Sequence, residues 1–117
     1  MEKTITLFRP TGPKELELEL VQASGFKRWP PRLPEQPIFY PVTNEAYAVQ
    51  ISKEWNVREC GAGFVMRFEV KAEFMDRYPI QKVGGGNRTE WWVPAEELEE
   101  LNENIVGLIE VIHEFHT

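Results

Sequence analysis

Four of the nine prolines in this chain fall between positions 30 and 37. Residues that lack an N–H and are fixed in φ cannot sit so densely in a helix or a sheet ladder. Residues 26–37 therefore read as an extended, stiffened loop, with regular structure confined to either side. The loop carries Lys27, Arg28 and Arg32 beside Trp29, the one positive cluster in an acidic chain. Two readings stand for it. It is a solvated or proline-rich partner segment, or it is a semi-rigid wall beside a pocket with an arginine for a phosphate.

On the N-terminal side, residues 4–9 alternate, with Ile5, Leu7 and Arg9 on one face and Thr6 and Phe8 on the other, a strand ending at Pro10. Pro13 suits the first turn of a helix. The Leu-Glu alternation of residues 15–20 has strand period but helix-forming residues. With Gly25 as a stop it reads as a helix burying Leu16, Leu20 and Val21. Beyond the loop, residues 38–42 form a strand, and Asn44 caps a helix to Trp55 with Tyr47, Ile51 and Trp55 as its inner stripe. Residues 56–63 read as a turn. Phe64, Met66, Phe68 and Val70 alternate inward along the clearest strand of the chain. A short helix follows over 71–78, with Phe74, Met75 and Tyr78 on its apolar side. Then come strands over 80–83 and 90–93, a helix from Pro94 burying Leu98, Leu101 and Ile105, and a last strand over 107–115. The order β-α-β-α-β-α-β-β-α-β predicts a single α+β domain with a bent, mainly antiparallel sheet and short helices packed on it.

The 117 residues suffice for one core and not for two. A net charge of −6 argues against broad binding along a nucleic-acid backbone, which needs a basic face. The single cysteine, Cys60, excludes an intramolecular disulfide and suits a reducing cytoplasm. No N-terminal apolar run suggests a signal peptide or a membrane span, so a cytoplasmic location is expected.

Gly84, Gly85 and Gly86 lead through Asn87, Arg88 and Thr89 to a lone carboxylate, Glu90, at the head of Trp91-Trp92-Val93. No Lys-Ser/Thr pair follows the glycines, so this is no nucleotide-triphosphatase phosphate loop. Glu90 shares a strand face with Trp92, where a carboxylate beside an indole feels a lowered dielectric; a surface strand glutamate is the competing reading. Arg9 faces inward on the first strand, where it needs an anion, supplied either by an internal acid or by a phosphate in a cleft. Tyr40 is either core with a bonded hydroxyl or a platform for a flat heterocycle. Two histidines at the C-terminal end and one cysteine make no zinc pattern.

Three stretches carry a resemblance. They are Leu7-Phe8-Arg9-Pro10; Gly25-Phe26 with Pro30-Pro31-Arg32-Leu33-Pro34-Glu35-Gln36-Pro37-Ile38-Phe39-Tyr40-Pro41-Val42; and Glu90-Trp91-Trp92-Val93-Pro94-Ala95-Glu96-Glu97-Leu98. Together they resemble a group of small bacterial proteins known as "ADP-ribosylation/crystallin J1". The order Arg9, Tyr40, Glu90 is also similar to the ADP-ribosyltransferase-like fold. That fold has an Arg or His on its first strand, a Ser, Thr or Tyr on a middle strand, and a Glu after a flexible turn. The resemblance implies NAD as substrate, with Arg9 and Tyr40 holding it and Glu90 stabilising the ribosyl cation as nicotinamide leaves. Arg32 and Trp92 are further candidates for the pocket. The activity implied is that of an ADP-ribosyltransferase or an NAD glycohydrolase. Arg88 stands two residues before Glu90, where transferases directed at arginine carry Glu or Gln. The competing class is a non-catalytic interaction module, the proline-rich loop and aromatic strands meeting a regulatory or toxin-antitoxin protein partner.

Overall fold

The structure, a computed structural model, describes residues 3–12, 17–32 and 34–117. In chain order it holds β1 (Thr4–Thr11), α1 (Leu18–Ala23), β2 (Ile38–Phe39) and α2 (Glu45–Ile51). A π-helical turn (Ser52–Asn56) joins α2 to α3 (Val57–Cys60), and β3 (Ala62–Lys71) and α4 (Ala72–Met75) follow. The C-terminal third holds β4 (Gln81–Lys82), β5 (Thr89–Glu90), β6 (Val93–Pro94), a 3-10 turn (Ala95–Glu97), α5 (Leu98–Glu103) and β7 (Ile105–His116). It is a small single-domain α+β protein, antiparallel in every strand pairing among the described residues.

β3 is the middle strand, flanked by β1 and β7. The side chains expected inward, Phe64, Met66, Phe68 and Val70, are all buried, and Val65 on the other face is buried too. Both faces of the sheet are covered, because β3 runs between two cores. One core gathers Leu7, Met66, Phe68, Trp29, Phe39 and Leu101; the other gathers Val42, Ala48 and Val65 with Phe8, Tyr47 and Ile112. Val42 extends the sheet beyond β1. Its N–H donates to the Phe8 carbonyl at 2.7 Å, its carbonyl accepts from the Phe8 N–H at 3.0 Å, and Glu90 is its bridge partner on the far side. β7 bulges against β3 at two places, and Gly107 supplies the positive φ of +81° there. The Phe26 carbonyl accepts from Ile109 N–H at 2.8 Å and covers part of the open edge of β7.

The proline-rich loop is held at its start. Trp29 is buried against Phe39 and Phe68, with ring centroids 5.4 and 5.0 Å away. The Asn102 side chain accepts from Trp29 N–H at 2.8 Å and donates to its carbonyl at 3.0 Å.

Several expectations are corrected. The predicted start at Pro13 and inward Leu16 lie outside the described residues; within them Leu18 and Val21 are buried, at the three-residue spacing of one helix face, while Leu20 is exposed. The turn expected over 56–63 is instead helix to Cys60, stopped by Gly61 in the left-handed region. Trp55 points to solvent because the π-helical turn adds residues per revolution and rotates it off the Tyr47–Ile51 stripe. The strand over 80–83 is reduced to Gln81–Lys82. The strand over 90–93 divides: Glu90 pairs with β4 and Val93 with β2, with Trp91 and Trp92 between them. Ile105 opens β7 rather than closing a helix.

Asn44 is a hinge pin in two directions. Its Oδ1 accepts from Tyr47 N–H at 2.8 Å as the N-cap of α2, and its Nδ2 donates to the Asn87 carbonyl at 2.7 Å, tying the β4–β5 hairpin to the helix. Asn44→Ala is expected to lower stability by about 1–2 kcal/mol, a lost cap plus a lost hydrogen bond. Asn44→Asp keeps the cap but not the donor, so urea unfolding should place it between the two.

Candidate functional site

Arg9 faces the larger core because it shares the Leu7 face of β1, and the fold answers its charge with Glu17, just before α1. Arg9 donates from Nε to Glu17 Oε2 at 3.1 Å and from Nη2 to Oε1 at 2.7 Å, a two-point contact. Arg32 reaches the same carboxylate from the proline-rich loop, its Nη1 donating to Oε1 at 2.8 Å. Both guanidiniums lie by the Phe39 ring, 4.9 and 5.8 Å from its centroid. The side chains of Arg9, Arg32 and Glu17 are only 13%, 9% and 17% exposed. Among the described residues two cations thus share one anion in a poorly solvated place, with one positive charge in excess.

The electrostatics follow. Burial pushes the Glu17 carboxyl up, but the charges and hydrogen bonds of Arg9 and Arg32 together hold it below its ordinary value. The Arg32 guanidinium is lowered by burial and then by repulsion from Arg9, against the pull of Glu17. It stays charged, since an arginine so placed keeps its proton.

The trio lines a cavity of about 440 Å³ whose wall also includes Thr11, Leu20, Pro31 and Asn56. Arg32 Nε, Thr11 Oγ1 and Asn56 Oδ1 are buried and make no hydrogen bond among the described residues. Unpaired buried polar atoms are costly, and these three belong to residues of the cavity wall.

Tyr40, Glu90 and Trp92 form a second group outside that wall. Tyr40 and Trp92 meet edge to face at 6.4 Å, both substantially exposed. Glu90 Oε1 accepts from Trp92 Nε1 at 2.8 Å. Glu90 pairs with Val42, and Val42 with Phe8, so the Glu90 side chain lies on the Phe8 side of the sheet and Arg9 on the Leu7 side. Arg9 Nη1 approaches the Tyr40 carbonyl at 3.4 Å, which links the groups through backbone. Of the five candidates the structure brings Arg9 and Arg32 together, and separately Tyr40, Glu90 and Trp92.

Glu17, Thr11 and Asn56 carried no signal of a site in the sequence. Glu17 stands in the Leu-Glu alternation as one of several like residues, and Asn56 stands where a turn was expected. Cys60 also borders the cavity as a free, exposed thiol. Among the described residues no three His, Cys, Asp or Glu side chains gather as a metal site would require, and no helix is long and apolar enough to cross a membrane. No family model, curated protein or solved structure matches the chain.

Proposed function

We propose that this chain is a receptor for a nucleotide-type anion, of the NAD or ADP-ribose class, whose diphosphate lies against Arg32 and Arg9. The observation that carries the reading is the pair of guanidiniums sharing one carboxylate in a cavity of about 440 Å³. That volume falls within the range of small-molecule sites. A diphosphate meets the two guanidiniums that share Glu17. An ADP-ribosyltransferase-like architecture belongs to the same proposal, resting on Arg9 in the first strand of an antiparallel sheet. Fold analogy alone carries no chemistry. Glu90 stands outside the cavity wall, so the reading supported is binding, with no ribosyl transfer assigned to Glu90.

Calorimetric titration with NAD and ADP-ribose tests this. Arg32→Gln is expected to weaken binding roughly 10- to 100-fold, the worth of a charge-assisted hydrogen bond. Glu90→Gln should leave affinity unchanged. Failure of either ligand to bind at millimolar concentration overturns the receptor reading and favours the second, a protein-interaction module. One observation speaks for that alternative: Trp92 is 44% exposed beside an exposed Tyr40, an aromatic patch of the kind partners cover.

A further inference from the structure

We propose a second ligand site on the other side of the sheet, in the hollow between α2 with its π-helical turn and the tip of the β4–β5 hairpin. It takes a planar aromatic ring carrying a phosphate, as in a nucleoside monophosphate. The hollow measures about 310 Å³ and is lined by Tyr47, Gln50, Ile51, Trp55, Val83 and Arg88. It is independent of the cavity at Arg32.

Three observations converge. Arg88 is an uncommitted cation. Arg9, Arg32, Arg67 and Arg77 each hold a carboxylate, whereas no hydrogen bond or ion pair ties the Arg88 side chain among the described residues. Its stem is nonetheless placed, since a Cβ on Gly84 would stand 2.8 Å from Arg88 Cδ; the glycine loop makes room for this arginine to fold back. The second observation is Trp55. The π-helical turn leaves it 58% exposed on the rim, with the Arg58 guanidinium 5.4 Å from its ring centroid. An indole kept in water at the edge of a hollow that Tyr47, Ile51 and Val83 also line is a stacking platform. Third, the two walls are fixed to each other. Asn44 Nδ2 bonds to the Asn87 carbonyl, Asn87 Nδ2 returns to Asn44 Oδ1 at 3.2 Å, and Thr43 N–H donates to the Thr89 carbonyl at 3.1 Å.

The chemistry selects the guest. The aromatic and apolar lining takes a ring face, and Arg88 takes an anion at its edge. A volume near the lower end of small-molecule sites admits one ring with one phosphate and leaves no room for a folded peptide.

Quenching of tryptophan fluorescence by AMP is the test, with adenosine and inorganic phosphate as its halves and circular dichroism as the check on folding. AMP should quench saturably, and adenosine and phosphate should each bind about tenfold or more weakly. Trp55→Leu, an exposed replacement, should remove most of the quench and weaken AMP roughly tenfold, read by calorimetry. Arg88→Gln should reduce AMP to the affinity of adenosine and leave adenosine unchanged. The part of the AMP quench that Trp55→Leu removes should persist in Arg32→Gln, because Trp55 lines this hollow and not the cavity at Arg32, which separates the two sites. The proposal is overturned if AMP fails to bind at millimolar concentration. It is equally overturned if folded Arg88→Gln binds AMP like the parent, or if Arg32→Gln abolishes the binding.

Discussion

Gly63→Ala is expected to be among the most damaging single methyl additions in this protein. A Cβ at Gly63 would lie 2.4 Å from Ser52 Oγ, 2.7 Å from the Ser52 carbonyl oxygen and 3.1 Å from Asn56 Cβ. The first contact yields by turning a hydroxyl; the second is backbone and yields only if the π-helical turn moves off β3. We expect a loss of about 3 kcal/mol, the upper end for overpacking, and a fall in Tm of roughly 10–15 °C for a chain of this size. Ser52→Ala separates the two contacts. Ser52 Oγ is buried without a hydrogen-bond partner, so its removal alone should be near neutral, and in the Gly63→Ala background it should recover only part of the loss. The same displacement shifts Asn56 on the cavity wall, so Gly63→Ala should also weaken ADP-ribose. Equal stability of Gly63→Ala and the parent would mean the helix rests less tightly on β3 than described.

Glu17→Gln is the second large effect. The substitution keeps shape and removes the Glu17 carboxylate that Arg9 and Arg32 share, leaving two like charges facing each other in a poorly solvated place. Breaking a fully buried pair costs about 3–5 kcal/mol; this cluster keeps an edge on water, so about 2–4 kcal/mol is expected. The pH dependence has a definite sign. The folded Glu17 pKa lies below the ordinary value of 4.5. The charged carboxylate therefore contributes its full stabilisation above that value and loses it as pH falls through the lower folded one. Urea unfolding of parent and variant should differ most near neutrality and converge as pH drops below 4.5. A diagnostic companion is anion rescue: pyrophosphate should raise the Tm of Glu17→Gln more than that of the parent, because it replaces the missing negative charge. A Tm gain no larger than the parent's would deny that the two arginines form an anion site.

What could be read from the sequence follows physical range. The alternation of residues 64–70 is a local pattern forced by the two-residue period of a strand, and it gave the middle strand and its buried face. Asn44 as a cap and residues 26–37 as a loop are likewise decided by the chemistry of single residues. Trp55, by contrast, was expected inward on a regular helical period; one π-helical turn, tied to the close approach of Ser52 and Gly63, rotates it outward, and nothing local announces that contact. Glu17 is chemically identical to its neighbours Glu15 and Glu19, and only the fold brings it to Arg9 and Arg32. The inward aim of Arg9 was legible from its strand face; its partner was not. Glu90 and Arg9 are near in motif order but separated by the pleat, because Val42 aligns Glu90 with Phe8 rather than with its neighbour.

The side-chain Nε–H resonances of the arginines during a titration with ADP-ribose offer the most direct measurement. The Arg32 signal should shift saturably, with Arg9 following, while the exposed Arg77, held by Glu100 at 2.9 Å, stays in place. An Arg32 signal unmoved at saturating ligand, or a complete lack of saturation, would contradict the assignment of that cavity as an anion receptor.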